Sequence, residues 1–180
     1  MHRLFVGLRP PPEIRALLRG AMGGIGGARW QDDDQLHLTV RFIGEVDGRT
    51  ADDIAVALGH VHADAIDVAI NGVGRFDKKG RTDAIWAGVT PHDALAALHR
   101  KVDHAIVRCG QPPEGRAYLP HITLARMPRS LVAEAEVQAF LGRQAGLASA
   151  PFGFTHLTLF ESALTHDGAR YQPVARWPLG

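Results

Sequence analysis

The sequence predicts a mixed fold of strands and helices, arranged as two similar lobes around a shared cleft. Three observations carry this expectation. Segments with strand alternation and segments with helical spacing follow one another along all 180 residues. Their order repeats: Phe5-Val6-Gly7-Leu8, then Pro10 and a helix containing Leu17, is matched 81 residues later by Trp86-Ala87-Gly88-Val89, Pro91 and a helix containing Leu98. Two short strings, HLTV at His37–Val40 and HITL at His121–Leu124, lie 84 residues apart, as do the strand ends Phe76 and Phe160. A repeat of this length is too long for a solenoid unit. It fits two lobes related by a pseudo-twofold axis, each donating one His-x-Thr strand.

The elements follow in order. Leu4–Leu8 is a strand. Pro12–Met22 is a helix, entered through a proline run that suits a first turn. Gly23–Ala28 holds four glycines and is a loop. The strand His37–Gly44 comes next, and then a helix at Thr50–Val61 with Thr50 as its expected N-cap. Strands at Ile66–Phe76 and Ala84–Thr90 are joined by the basic turn Asp77–Arg81. Leu95, Leu98, Val102 and Ile106 are spaced three or four apart, which predicts a helix over Asp93–Arg108. A strand at Ile122–Met127 and a helix at Leu131–Leu141 follow. Strands at Gly153–Leu164 and Arg170–Leu179 close the chain, joined by a His-Asp-Gly turn that suits a hairpin.

Composition narrows the class. The content is 46% hydrophobic and 22% charged, ordinary for a globular protein able to bury roughly 70% of its unfolded surface without a disulfide or metal. The net charge of +1 is not the footprint of a protein that grips long nucleic acid by bulk electrostatics. A small phosphorylated ligand or an RNA end remains compatible with it. Cys109 is the sole cysteine, so no internal disulfide forms, which favours a reducing compartment. No apolar run approaches a membrane span. The apolar stretch of MHRLFVGLRPPP is too short for a secretory signal. The expectation is a cytoplasmic monomer, with no membrane association, no metal and no cofactor.

In an extended strand His37 and Thr39 share one face, and His121 and Thr123 another. Two such strands side by side place two imidazoles and two hydroxyls around one small site, a set suited to acid–base chemistry on a phosphate. A third copy, HLTL at His156–Leu159, falls in the strand that the repeat pairs with Ile66–Phe76, where Gly72 stands opposite His156. It lacks a partner and the irregular entry of the other two, so it reads as a strand residue without a role.

Taken together, the opening RLFVGL, GARW, HLTVRFIGEV, WAGV, PHITLAR and the closing RYQPVARWPL resemble the two-histidine phosphoesterases. They are most similar to the bacterial and archaeal RNA 2′,3′-cyclic phosphodiesterases, formerly called 2′-5′ RNA ligases. The resemblance runs over nearly the whole chain. It implies a bilobal α+β fold, with mainly antiparallel sheets forming a central cleft and helices outside. It also implies metal-independent hydrolysis of an RNA 2′,3′-cyclic phosphate, or of a small cyclic nucleotide, to a 2′-phosphomonoester, and it raises reverse 2′-5′ ligation. Tyr118 departs from the basic or proline-rich approach to the second motif expected in that family.

One neutral and one protonated imidazole can coexist near pH 7. The resemblance assigns His37 as base and His121 as acid; the near-symmetric motifs alone do not order them. Thr39 and Thr123 are placed to donate hydrogen bonds to the phosphoryl oxygens. Arg126 resembles the family's phosphate-contacting arginine. Simple alternation turns it away from His121, so this reading requires the strand to end, twist or bulge near Ala125. Alternation puts Arg41 on the face of His37 and Thr39, as a candidate rim residue or a solvated strand-end arginine. Phe42 then faces the core, with stacking on a base as its other reading. The basic turn Arg75–Arg81 is a solvated hairpin or a strip that steers RNA, and Asp32–Asp34 is a solvated loop. The competing functions are a phosphodiesterase for another cyclic or 2′-5′ nucleotide, a non-catalytic RNA-end module, and a metal hydrolase. No H-E-x-x-H motif supports the last.

Overall fold

A computed structural model describes residues 1–128 and 133–180. The elements are β1 (His2–Leu8), α1 (Pro12–Ala21), β2 (Arg29–Trp30), β3 (Leu38–Val46), α2 (Gly48–Gly59), β4 (Ile66–Lys78), β5 (Arg81–Thr90), α3 (Asp93–Arg108), β6 (His121–Arg126), α4 (Glu134–Arg143), β7 (Phe152–Phe154), β8 (His156–Thr165) and β9 (Gly168–Pro178). This is an α+β fold on antiparallel pairings, as expected.

Element ends agree with the sequence pattern to within three residues, although β4 and β5 extend through the expected basic turn Asp77–Arg81 and leave only Lys79 and Gly80 between them, and four other differences stand out. The pair β2 is too short to show alternation. The expected strand Gly153–Leu164 is broken at Thr155 into β7 and β8. The first residues of the expected helix Leu131–Leu141 lie outside the described residues, and α4 runs on to Arg143. Helix α2 starts earlier than Thr50, because the Asp47 carboxylate accepts from the Thr50 amide at 2.7 Å and is the N-cap.

Among the described residues the strands form one sheet of order β7-β4-β5-β6-β3-β1-β8-β9, with β2 beside β6. Outward from the β6–β3 junction, the order is β6-β5-β4 one way and β3-β1-β8 the other. These are the strands that the sequence repeat pairs: β3 with β6, β1 with β5, and β8 with β4. Each half of the chain therefore sends its third strand into the other half's part of the sheet.

One sheet face carries Leu4, Val6, Leu8, Leu38, Val40, Ile85, Val89, Ile122, Leu124 and Leu159. Helices cover it with Leu18 of α1, Ile54 and Leu58 of α2, Leu95, Leu98, Val102 and Ile106 of α3, and Val137 and Phe140 of α4. These side chains are 0–1% exposed, and such burial contributes about 1.5–3 kcal/mol per large aliphatic side chain. The opposite face is left to the site.

Candidate active site at the strand junction

Strands β3 and β6 meet through the antiparallel pair Leu38–Ile122. Because the strands run in opposite directions, His37 lies toward Thr123, and Thr39 toward His121. All four side chains are half-buried on the face opposite the helices, while Leu38 and Ile122 are fully buried. Both histidine motifs therefore arrive at one place.

Each imidazole is tied in the same way. His37 Nδ1 lies 2.7 Å from the Gln35 carbonyl, and His121 Nδ1 lies 2.7 Å from the Leu119 carbonyl. A carbonyl only accepts, so Nδ1 carries the proton in both rings and Nε2 is left for chemistry. Thr39 Oγ1 donates to His37 Nε2 at 2.9 Å. Thr123 makes no matching bond to His121 among the described residues. The approach to His37 is a tied turn: Asp32 N donates to Gln35 Oε1 and Gln35 N to Asp32 Oδ1, each at 2.9 Å.

Aromatic rings wall each histidine. Phe5 lies 4.7 Å and Phe160 6.0 Å from His37, centroid to centroid, with the Tyr171 edge at 5.1 Å. Phe76 lies 4.8 Å and Trp86 6.0 Å from His121. Phe5 and Trp86 are equivalent in the repeat, as are Phe160 and Phe76. Sequence reasoning did not give these rings a place in the site, although their equivalence in the repeat was a usable signal.

Burial is the main cause that lowers His37, to about 4, and the positive Arg126 and His121 add to it against the Gln35 carbonyl. His121 is lowered from its ordinary value by burial first and Arg126 next. Both rings are thus readily neutral, His37 more so.

Strand bulges set the facing of the residues beyond each motif. In β6, Trp86 of β5 pairs with Thr123 and Ile85 with Ala125, so Leu124 is skipped. Leu124 and Ala125 are both buried, and Arg126 returns to the face of Thr123. This is the bulge near Ala125 that an arginine in the site requires. In β3, Gly7 of β1 pairs with Thr39 and Val6 with Arg41, so Val40 is skipped. That bulge reverses the expectation for two residues. Arg41 is not at the rim: it is 6% exposed, and its Nε donates to Asp103 of α3 at 2.6 Å, with further bonds to the Phe42 and Pro112 carbonyls. Phe42 is not in the core: it is 44% exposed and pairs with Phe5. Phe42 and Arg126 therefore hold equivalent places in the two lobes.

The carbonyls at the β3 bulge are taken from the helix side. Tyr118 Oη donates to the Thr39 carbonyl at 3.0 Å, and His99 Nδ1 lies 2.8 Å from the Val40 carbonyl. The two rings stack at 4.2 Å. Burial pushes the Tyr118 hydroxyl up, so it stays a donor. Tyr118 thus supports the first motif from beneath. The acidic run is also more than a solvated loop. Asp33 accepts from Arg15 at 3.1 Å and lies near Arg9 and Arg19; the Arg15 bond is the main cause that lowers it. In the basic turn, Arg75 pairs with Glu134 at 3.0 Å.

Two glycines let these strands close. A Cβ on Gly7 would stand 3.1 Å from the Leu38 carbonyl and 3.5 Å from the His37 ring. A Cβ on Gly88, which pairs with His121, would collide with the Asn71 carbonyl. Among the described residues no group of three or more His, Cys, Asp or Glu side chains is placed to hold a metal ion. No helix among them is long and apolar enough to cross a membrane.

Residues 7–165 match the model of the 2′-5′ RNA ligase superfamily. Among curated proteins, the chain is 28% identical over 144 residues to an RNA 2′,3′-cyclic phosphodiesterase of Aeropyrum pernix, covering 79% of this chain and 81% of that one. It is 26% identical over 188 residues to the Escherichia coli K12 protein of the same name, covering 99% and 97%. Among solved structures, E. coli LigT complexed with 3′-AMP superposes with a TM-score of 0.78 at 24% identity, over 99% of this chain and 98% of that one. A Thermus thermophilus protein superposes with a TM-score of 0.75 at 22% identity, over 98% and 97%.

Proposed function

The chain belongs to the 2′-5′ RNA ligase superfamily, and from that membership we propose that it hydrolyses 2′,3′-cyclic phosphate ends of RNA to 2′-phosphomonoesters. The observation that carries the reading is the junction itself. It holds two imidazoles with Nδ1 tied to carbonyls, two threonine hydroxyls and one arginine, all on one face of adjoining strands. The names of the Aeropyrum and E. coli relatives support the choice of substrate.

His37 is the base, because it is the more strongly neutral ring. In the free protein its Nε2 is occupied by the Thr39 hydroxyl. A phosphoryl oxygen is the better acceptor, being charged, and the Thr39 hydroxyl turns to donate its hydrogen bond to it on binding. Nε2 is then free to accept a proton from water. The water oxygen bonds to phosphorus, and the bond from phosphorus to the 3′ oxygen breaks. His121, protonated in the presence of the phosphate anion, gives its Nε2 proton to that oxygen. Thr123 and Arg126 stabilise charge on the non-bridging oxygens, where the low-dielectric wall of rings strengthens them. Both halves supply one imidazole and one hydroxyl, so the chain acts as one domain of two intertwined lobes.

The test is product analysis with an oligonucleotide ending in a 2′,3′-cyclic phosphate. A 2′-phosphate product resists an enzyme that removes only 3′-phosphates. Release of phosphate by that enzyme reverses the assigned leaving group. An unchanged substrate overturns the activity.

A further inference from the structure

The third His-x-Thr string takes no part in the junction, yet it faces a basic cavity beside it. A space of about 140 Å³ is lined by Arg9, His156, Thr158, Phe160, Pro173 and Arg176. No carboxylate lines it. Thr158 pairs with Gly7 of β1 on one side and Arg176 of β9 on the other, which puts threonine and arginine on one face. Thr158 is 4% exposed, and its hydroxyl makes no hydrogen bond among the described residues. His156 Nδ1 bonds the neighbouring Thr155 hydroxyl at 2.9 Å, leaving Nε2 unengaged. Arg176 has no ion pair among the described residues. Arg9 Nη2 reaches Asp33 and Asp34 at 3.4 and 3.2 Å, while its Nε is buried without a partner. Arg9 Nε is a buried donor without an acceptor, which is costly, and Arg176 adds an exposed positive charge at the mouth, so this cavity is prepared for an anion.

The cavity adjoins the reacting centre. Phe160 forms its wall and also lies 6.0 Å from the His37 ring and 5.0 Å from Phe5. One aromatic ring separates the base from the arginines, the alternation of ring and cation that single-stranded RNA grooves use.

We infer that this cavity is a second phosphate subsite, which holds the phosphate on the 5′ side of the terminal nucleoside while the cyclic phosphate lies between His37 and His121. The inference rests on the reading of the activity given above. A cyclic-phosphate end has no nucleotide beyond it, so the next phosphate of the substrate lies on the 5′ side. Arg176 and Arg9 supply charge, and Thr158 and His156 supply directed hydrogen bonds. The subsite selects RNA ends over bare cyclic nucleosides.

Three substrates test it: a nucleoside 2′,3′-cyclic phosphate, the same compound carrying a 5′-phosphate, and a dinucleotide ending in the cyclic phosphate. The expected result is a higher kcat/KM for the two phosphate-bearing substrates. The ratio of either to the bare nucleoside should fall about tenfold in R176Q, the loss expected of one charge-assisted hydrogen bond. R176K should retain part of it, because a lysine keeps the charge but not the fork. T158V, which keeps the shape of a buried side chain, should also lower the ratio. Preference for the dinucleotide alone assigns the subsite to a bridging phosphodiester; preference for both assigns it to any 5′-phosphate. Equal kcat/KM on all three substrates, or a ratio unchanged in R176Q and T158V, overturns the inference. If the wild-type protein opens none of them, the activity reading fails separately. Equilibrium binding of the same dinucleotide then decides, and the subsite stands only if R176Q weakens it about tenfold.

Discussion

His37 and His121 differ in sequence neighbours but share one device, a carbonyl two residues upstream that holds Nδ1–H and aims Nε2 into the cleft. Replacing either with alanine should lower turnover at least about 100-fold, the scale of a positioned acid or base. The double variant should lose little more, since the pair acts as a unit. Steady-state kinetics that find near-normal activity in either single variant would remove that residue from the reaction. The pH profile follows from the same burial. As pH rises through about 4, His37 loses its proton and becomes a base, so kcat/KM rises. As pH passes the lowered value of His121, the acid is lost and kcat/KM falls. The optimum of kcat/KM should therefore lie on the acid side of about 6.5, with limbs that belong to the pair. Bound phosphate favours protonated His121, so the falling limb of kcat should lie at higher pH. A kcat/KM still climbing at pH 8 would contradict the roles assigned.

At the scale of elements, the two bulges matter as much as the two motifs. Each inserts one buried residue, Val40 or Leu124, after the threonine and so turns the second residue beyond it toward the cleft. The β3 bulge is held by α3 and the segment after it: Asp103 takes Arg41, and Tyr118 takes the Thr39 carbonyl. Burial alone would raise the Asp103 carboxyl, but the bonds from Arg41 and the Glu114 amide outweigh it and hold it low. D103N leaves the buried Arg41 charge with only the more distant Glu114 carboxylate, 3.9 Å away, and should cost about 3 kcal/mol by chemical denaturation. Y118F removes one hydrogen bond to a motif carbonyl. It should cost about 1 kcal/mol in stability and lower kcat several-fold through the position of Thr39. A loss of stability with unchanged kcat would reduce Tyr118 to a packing role.

At the scale of the molecule, the sheet order makes one site out of two half-sites. Neither half alone has both imidazoles, and each lobe needs a strand from the other half. The proposed reaction uses the imidazoles themselves as base and acid, so it predicts that activity survives exhaustive chelation. Loss on EDTA treatment with recovery on adding zinc or manganese would favour a metal hydrolase.

The four motif residues, the repeat and nearly every element were legible in the sequence. Strand and helix periods are local properties, and a repeated His-x-Thr is visible at any distance along the chain. Gly7 and Gly88 were visible as repeat partners, though not as places where a Cβ would strike a neighbouring strand. Arg126 was legible only on the condition of a bulge. Arg41 and Phe42 were read on the wrong faces, because alternation assumes an unbroken ladder and a single skipped residue inverts everything after it. Both Asp47 and Thr50 are residue types that cap helices, and Asp47 is the cap because its carboxylate reaches the Thr50 amide three residues on. Only the tertiary structure decided that the rings of Phe5, Phe160, Phe76 and Trp86 enclose the imidazoles, that Tyr118 supports Thr39, and that His156 faces two arginines. Those contacts join residues far apart in sequence, and their geometry depends on strand order and register, which no local pattern encodes.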